Sequence, residues 1–280
     1  MGSPYELAEV LRYHPSLKHI QLLRCYCSPV HVLLQALARI PHLDSLILDG
    51  SILAQQRDAD ALAALASICR SKSLKTLELN NIDETTMTQP LIAMMDALQQ
   101  PNPKATPPNL STLSLQLAPH ETFPLVVVRA MARMLMTNTS LQTIIVPWTG
   151  GGEVWLPIID ALAYNSALLE FRLHPESQRA KDAHCLSHPF LKRAAATLRE
   201  HNTHLGYFWY DSWEEIDLEI DLYIKSNHLG TGHLVYDQVD RPTHDEWVQA
   251  LVSSRDHVHV TNYWLSQNPA LLVSAASKAA

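Results

Sequence analysis

Six segments of this chain repeat one spacing of apolar residues: LKHIQLLRC from Leu17, LDSLILDGS from Leu43, LKTLELNNI from Leu74, LSTLSLQLA from Leu110, LQTIIVPWT from Leu141 and LLEFRLHPE from Leu168. LGYFWYD from Leu205 is a weaker, aromatic seventh. Apolar residues at the first, fourth and sixth positions fit neither a helix nor a plain alternating strand. The starts lie 26 to 37 residues apart, the period of a solenoid rather than of heptads or propeller blades.

The intervening stretches carry apolar residues at helical spacing, as in Leu33, Leu34, Leu37 and Ile40, or Val127, Met131, Met134 and Leu135. Each unit therefore reads as helix, turn and short strand. Pro4, Pro29, Pro90, Pro124, Pro157 and Pro189 are expected at helix starts, where a missing N–H costs nothing. The helix near Ala59 has Asp58 and Asp60 there instead. In the third strand Leu77 and Leu79 alternate onto the helix side, Leu74 turns inward at the entry and Ile82 at the exit. Thr76, Glu78 and Asn80 are left to point outward. A single unit cannot bury such a face, so neighbours must stack, with the strands in a curved parallel sheet and the helices on its convex side.

These strands, alternating with full helices, resemble the ribonuclease-inhibitor subclass of leucine-rich repeat proteins. The likeness covers roughly residues 5 to 211 and implies an α/β solenoid. It departs from the pattern at the ninth position, where the Asn or Cys of that subclass is matched only by Cys25, with Ser51, Ile82, Ala118 and Thr149 elsewhere. The expected organisation is a solenoid over residues 1–212, a helical capping segment over 213–273 and a disordered tail over 274–280. The segment from EEIDLEIDLYIKSNHLGTGHLV through THDEWVQALVSSRDHVHVTNYWLSQNPALL is similar to the tail of a large diatom family of leucine-rich repeat proteins, which implies no particular activity. Read directly, Ile216, Ile220, Tyr223 and Ile224 share a helical face, Gly230 follows as a stop, and Thr243 with Glu246 forms a capping box before Trp247. Such helices would cover the exposed end of the last repeat.

The charge of −7 argues against nucleic acid and against anionic membrane surfaces, since both select basic patches. No apolar run approaches the roughly 18 residues of a membrane span. Cys25, Cys27, Cys69 and Cys185 show no disulfide-framework spacing and no signal peptide precedes them, which favours an intracellular, cytoplasmic setting.

Enzymatic signals are thin. His184, Cys185 and His188 in HCLSH have metal-like spacing, with His174 or His201 to complete a set. Fifteen histidines make such coincidences common, and an HxxxH without an intervening glutamate supplies no general base. The glycines at 150 to 152 follow a strand but lack the lysine and Ser/Thr of a phosphate loop, and read as a turn. No G-x-S-x-G elbow occurs, and PNPKATPP at 101–108 reads as a repeat insertion. No cofactor, metal or catalytic residue is expected.

The expectation is a non-catalytic module that binds a protein partner on the concave sheet face. Glu78, Asn80, Ile145, Trp148, Arg172, Tyr207 and Trp209 are the candidate contact residues, because aromatic side chains and arginine dominate binding hot spots. Tyr207, Trp209 and Trp213 have a second reading, as packing beneath the C-terminal helices. The alternative function is regulation of a partner enzyme, of the GTPase-activating or inhibitor type found in the same repeat subclass.

Overall fold

The computed structural model describes residues 4–14, 16–23, 29–54, 59–99, 108–149, 151–175, 188–202, 204–210, 218–228, 244–253, 260, 261 and 265. Along the chain run α1 (Pro4–Arg12), β1 (His19–Leu22), α2 (Val30–Ala38), β2 (Ser45–Asp49), α3 (Gly50–Ala54), α4 (Ala59–Cys69) and β3 (Thr76–Ile82). There follow α5 (Glu84–Leu98), β4 (Thr112–Leu117), α6 (Leu125–Leu135), β5 (Thr143–Trp148), α7 (Gly152–Leu162), β6 (Glu170–Pro175), α8 (His188–Glu200), β7 (Tyr207–Tyr210), α9 (Leu218–His228) and α10 (His244–Ser253). The seven strands form one sheet in sequence order, every pair parallel. The chain folds as a leucine-rich repeat solenoid, an α/β architecture in which each repeat leans on the next.

The three apolar positions of the motif build one continuous core. Leu43, Leu74, Leu110, Leu141, Leu168 and Leu205 are buried at the strand entries; Leu46, Leu77, Leu113, Ile144 and Phe171 are buried in mid-strand, with Leu48, Leu79, Leu115, Val146 and Leu173 two residues on. They meet Leu33, Leu37, Leu65, Ile68, Met94, Met131, Met134, Ile158 and Leu162 from the helices. The fourth and sixth positions share the inner face of a strand by alternation, and the first packs where the chain enters from the turn.

Two of the prolines sit elsewhere than expected. Pro29 and Pro124 are helix N-caps, but Pro90 and Pro157 lie inside α5 and α7. The reason in α5 is local: the Asp83 carboxylate accepts from the main-chain N–H of Thr85 and Thr86, both at 3.0 Å, and starts the helix well before Pro90. The Thr85 hydroxyl, followed by the N–H and hydroxyl of Thr86, holds the Asp83 carboxyl below its ordinary range. Asp58 lies outside the described residues; Asp60 is in the first turn of α4.

A ladder of asparagines joins the later repeats. Asn138 Nδ2 donates to the Leu98 carbonyl at 2.8 Å, while its Oδ1 accepts from the N–H of Ser140 and Leu141. Asn165 repeats the motif on Leu135 and Asn138, and Asn202 repeats it on Leu162 and Asn165. Asn227 closes the series from α9, donating to the carbonyls of Asn202 and Leu205 at 2.9 and 3.1 Å. In the third repeat Ser71 and Ser73 give only a weak substitute, with Ser73 Oγ at 3.4 Å from the Ile40 carbonyl.

Ile220 and Tyr223 are buried and Ile224 is packed on the same core, so α9 lies over the end of the last repeat. Ile216, Gly230, Thr243 and the tail over 274–280 lie outside the described residues.

Candidate functional site

The sheet face turned away from the helices is the open surface of the solenoid, and strand register orders its side chains into rows. One row runs Ile47, Glu78, Ser114, Ile145 and Arg172 from β2 to β6, and the backbone of Trp209 holds the matching register position in β7. The next runs Ser45, Thr76, Thr112, Thr143, Glu170 and Tyr207. Three of the seven candidate residues thus share one row, and Tyr207 lies in its neighbour. At about 4.8 Å per strand, Glu78 and Trp209 stand roughly 19 Å apart along the sheet.

Arg172 is the most constrained group on this face. Its Nε donates to Glu170 Oε1 at 2.6 Å and its Nη2 pairs with the same oxygen. Glu170 precedes it by two residues, on the same side of the same strand. The guanidinium carbon sits 5.2 Å from the centre of the Tyr207 ring on the adjacent strand, within cation–π range. Thr143 steadies the other Glu170 oxygen from the strand before, at 3.3 Å. Carboxylate and guanidinium cancel in charge, and because both are partly exposed the pair adds little to stability. Its effect is geometric. Among the described residues no hydrogen bond or ion pair reaches Arg172 Nη1, and the side chain as a whole is partly exposed.

Toward the other end, Asn80 Nδ2 donates to Glu78 Oε1 at 2.9 Å. Asn80 Oδ1 is buried, and among the described residues it has no donor. Between Leu79 and Ile82 strand β3 spends one residue more than β4 does between Leu115 and Leu117. Asn81 absorbs this bulge with φ of 54°, a conformation asparagine tolerates better than most residues. Its Nδ2 then reaches Asp49 Oδ2 at 3.0 Å, and Asp49 Oδ1 accepts from the Ser51 N–H. Gly50 is required beside it, since a Cβ there would stand 2.8 Å from the Asn81 carbonyl oxygen.

Trp148 is not on this face. Ile144, Val146 and Trp148 alternate together toward the helices, so the indole stacks on Trp155 of α7 at 5.9 Å and 21° and meets the edge of Phe190 of α8 at 5.6 Å. Trp155 in turn contacts Phe123 and donates from Nε1 to the Thr149 carbonyl at 3.0 Å. Trp148 belongs to an aromatic cluster at the strand exits. The expectation that it anchors a partner from the open face is corrected by two-residue alternation.

Of the metal-like set, His184 and Cys185 lie outside the described residues, as do Cys25 and Cys27. Among the described residues no group of three or more His, Cys, Asp or Glu side chains is placed to hold a metal ion. Burial pushes the Cys69 thiol up to about 12. Gly151 caps α7 through its main chain, as a turn residue. Among the described residues no helix is long and apolar enough to cross a membrane.

No protein-family model and no curated protein matches the chain. Among solved structures, leiomodin-1 actin-binding site 2 is similar at 15% identity, over 62% of this chain and 91% of that one, with a TM-score of 0.44. Strand order, parallel register and one continuous core define the repeat fold of this chain.

Proposed function

We propose that this protein is a non-catalytic binding module that takes a protein partner on the open sheet face. The observation that carries the reading is the Glu170–Arg172–Tyr207 arrangement. A free arginine loses side-chain freedom on binding, about 0.5–1.5 kcal/mol for an immobilised side chain. Here that ordering has already occurred within the fold, and Nη1 remains for a partner's carbonyl or carboxylate oxygen. Ile145 beside it in the row offers apolar area, while Glu78, with one carboxylate oxygen held by Asn80 Nδ2, offers the other as an acceptor to partner N–H groups. Trp209 occupies the next register position and belongs to the same proposed surface.

A rigid sheet presenting arginine, aromatic and aliphatic groups suits recognition by a folded partner. The ribonuclease-inhibitor-like subclass, the likeness of the tail to the diatom family, the boundary near residue 212 and the cytoplasmic setting are parts of the same proposal.

The experiment is affinity capture from the native cell with three baits. These are the unaltered protein, Arg172→Ala with Tyr207→Ala, and the helix-side pair Arg133→Ala with Lys192→Ala. The expected result is a partner retained by the first and third baits and lost from the second. Retention by the second with loss from the third would move the binding surface to the helices.

A further inference from the structure

The chain holds 28 acidic residues against 21 lysines and arginines, so most bases on its surface can find an acid. One edge departs from that balance. The turns that lead from α2 into β2 and from α4 into β3 carry Arg39, Arg70, Lys72 and Lys75, all exposed. Arg39 and Arg70 each stand four residues before a buried strand-entry leucine, Leu43 and Leu74, and so hold the same place in successive repeats. Lys75 follows Leu74 directly, and its Nζ pairs with Asp44 Oδ1 at 3.3 Å. Among the described residues, neither the Arg39 nor the Lys72 side chain has a hydrogen bond or an ion pair.

Helix ends attract cations through the dipole, an effect confined to the last turn. It accounts for Arg39 and Arg70, which directly follow α2 and α4, and Arg70 Nε also donates to the Ala97 carbonyl of α5 at 3.3 Å. Lys72 and Lys75 lie beyond its reach. The acids of these repeats do not neutralise the edge. Asp44 serves Lys75, while Asp96 accepts from Gln99 and forms no ion pair among the described residues. No acid occurs in α2, and that of α4, Asp60, is in the first turn, at the other end of the helix. Between α5 and β4 the sequence adds Lys104 and no acid.

We propose that this edge is a docking site for a short acidic segment of a partner protein, which sets three or four Asp or Glu carboxylates against Arg39, Arg70, Lys72 and Lys75. Clustered like charges repel, and carboxylates brought among them relieve that repulsion as well as forming ion pairs. A nucleic acid or an anionic membrane fits less well. Either would extend past two repeats onto a surface where acids outnumber bases and be repelled there. A segment of a few residues ends on the edge itself. The site lies apart from the open sheet face and does not depend on the function proposed for it.

The test uses the whole chain and a rhodamine-labelled peptide, GDEDEG, followed by fluorescence anisotropy. At about 50 mM salt the peptide should bind with a Kd of about 200 μM or tighter. Binding should weaken at least about fivefold at roughly 200 mM salt, because exposed charges are screened. The uncharged peptide GNQNQG should not bind. Arg39→Gln combined with Lys72→Gln and Lys75→Gln should weaken GDEDEG at least about tenfold, whereas Arg129→Gln combined with Arg133→Gln and Lys192→Gln, on the helix faces, should change it less than about twofold. Circular dichroism should show both triple variants folded. If the first is not, Lys72→Gln alone decides, with a loss of at least about threefold. A DNA duplex of about 12 base pairs, and phosphatidylcholine vesicles with about 20% phosphatidylserine, should bind more weakly than GDEDEG at the same salt. No binding of GDEDEG, equal loss from the two triple variants, or tighter binding of the duplex or the vesicles would each overturn the proposal.

Discussion

Asn165 donates from Nδ2 to the main-chain oxygen of Asn138, the residue in the same place one repeat earlier, at 3.1 Å. Both side chains are almost wholly buried. Asn165 also donates to Leu135 at 2.6 Å and accepts from the N–H of Ala167 and Leu168. One amide therefore satisfies four main-chain groups, three of them in buried bonds and one, the Ala167 N–H, part-buried. Asn165→Ala should cost about 3 kcal/mol or more, since each orphaned group costs roughly 1–3 kcal/mol. Asn165→Asp should be nearly as damaging despite its shape, because a carboxylate cannot donate to the two carbonyls. Urea midpoints measure both; a near-neutral Asp variant would mean that the acceptor side of the amide dominates.

The alternation in β3 separates neighbouring residues sharply. Leu77 is fully buried and Thr76 is half-buried on the open face. Leu77→Ala should cost about 2–5 kcal/mol, and Thr76→Ala less than about 0.5 kcal/mol as a surface site. Denaturation midpoints should fall clearly only for the first. Equal midpoints would contradict the face assignment.

Trp148 should behave as a structural residue. Removing the indole deletes two aromatic contacts and opens space between β5, α7 and α8, so Trp148→Ala should destabilise by about 3 kcal/mol, the low end for an aromatic truncation because the ring is partly exposed. Folded Trp148→Ala protein should hold a captured partner as well as the parent does. Weakened binding with unchanged stability would return Trp148 to the contact surface.

Cys69 should be inert in the native protein. With its thiol pushed up to about 12 from 9.0 by burial, thiolate is scarce at neutral pH. Mass mapping after alkylation at neutral pH should find the Cys69 peptide unmodified in the folded protein and modified in denaturant. The raised value also fixes the sign of its pH effect: the contribution to stability is complete below about 9 and is lost as pH rises toward 12. Cys69→Ala should flatten the decline of unfolding free energy across that alkaline window. Rapid native alkylation would show that the site opens.

Much of the fold was legible because leucine at the first, fourth and sixth positions leaves a solenoid strand few alternatives. The open-face row of Glu78, Ile145 and Arg172 follows from the same alternation. Trp148 was misplaced by ranking residue type above parity, since it stands four residues from Ile144 and so on the inner face. Pro90 was misread because proline marks a helix start only when no better cap lies upstream, and Asp83 is such a cap; Pro157 falls in the second turn of α7, which starts after Gly151 without a side-chain cap. The asparagine ladder went unread because a single asparagine before a strand resembles any turn residue. Its signal was the recurrence of Asn three positions before the motif leucine, at Asn138 with Leu141, Asn165 with Leu168 and Asn202 with Leu205. The Arg172 clamp needs side-chain geometry as well as register.

The rungs of the ladder are 27, 37 and 25 residues apart, yet from Asn165 onward each one reads only main-chain oxygens of the repeat before it. No side chain of one repeat has to recognise a particular side chain of its neighbour at this seam. Units joined in this way are interchangeable parts: a repeat can be lengthened, duplicated or excised between rungs, provided that its own asparagine travels with it. The length of such a protein can therefore drift without its neighbours being redesigned, and the size of the surface it offers can drift with it.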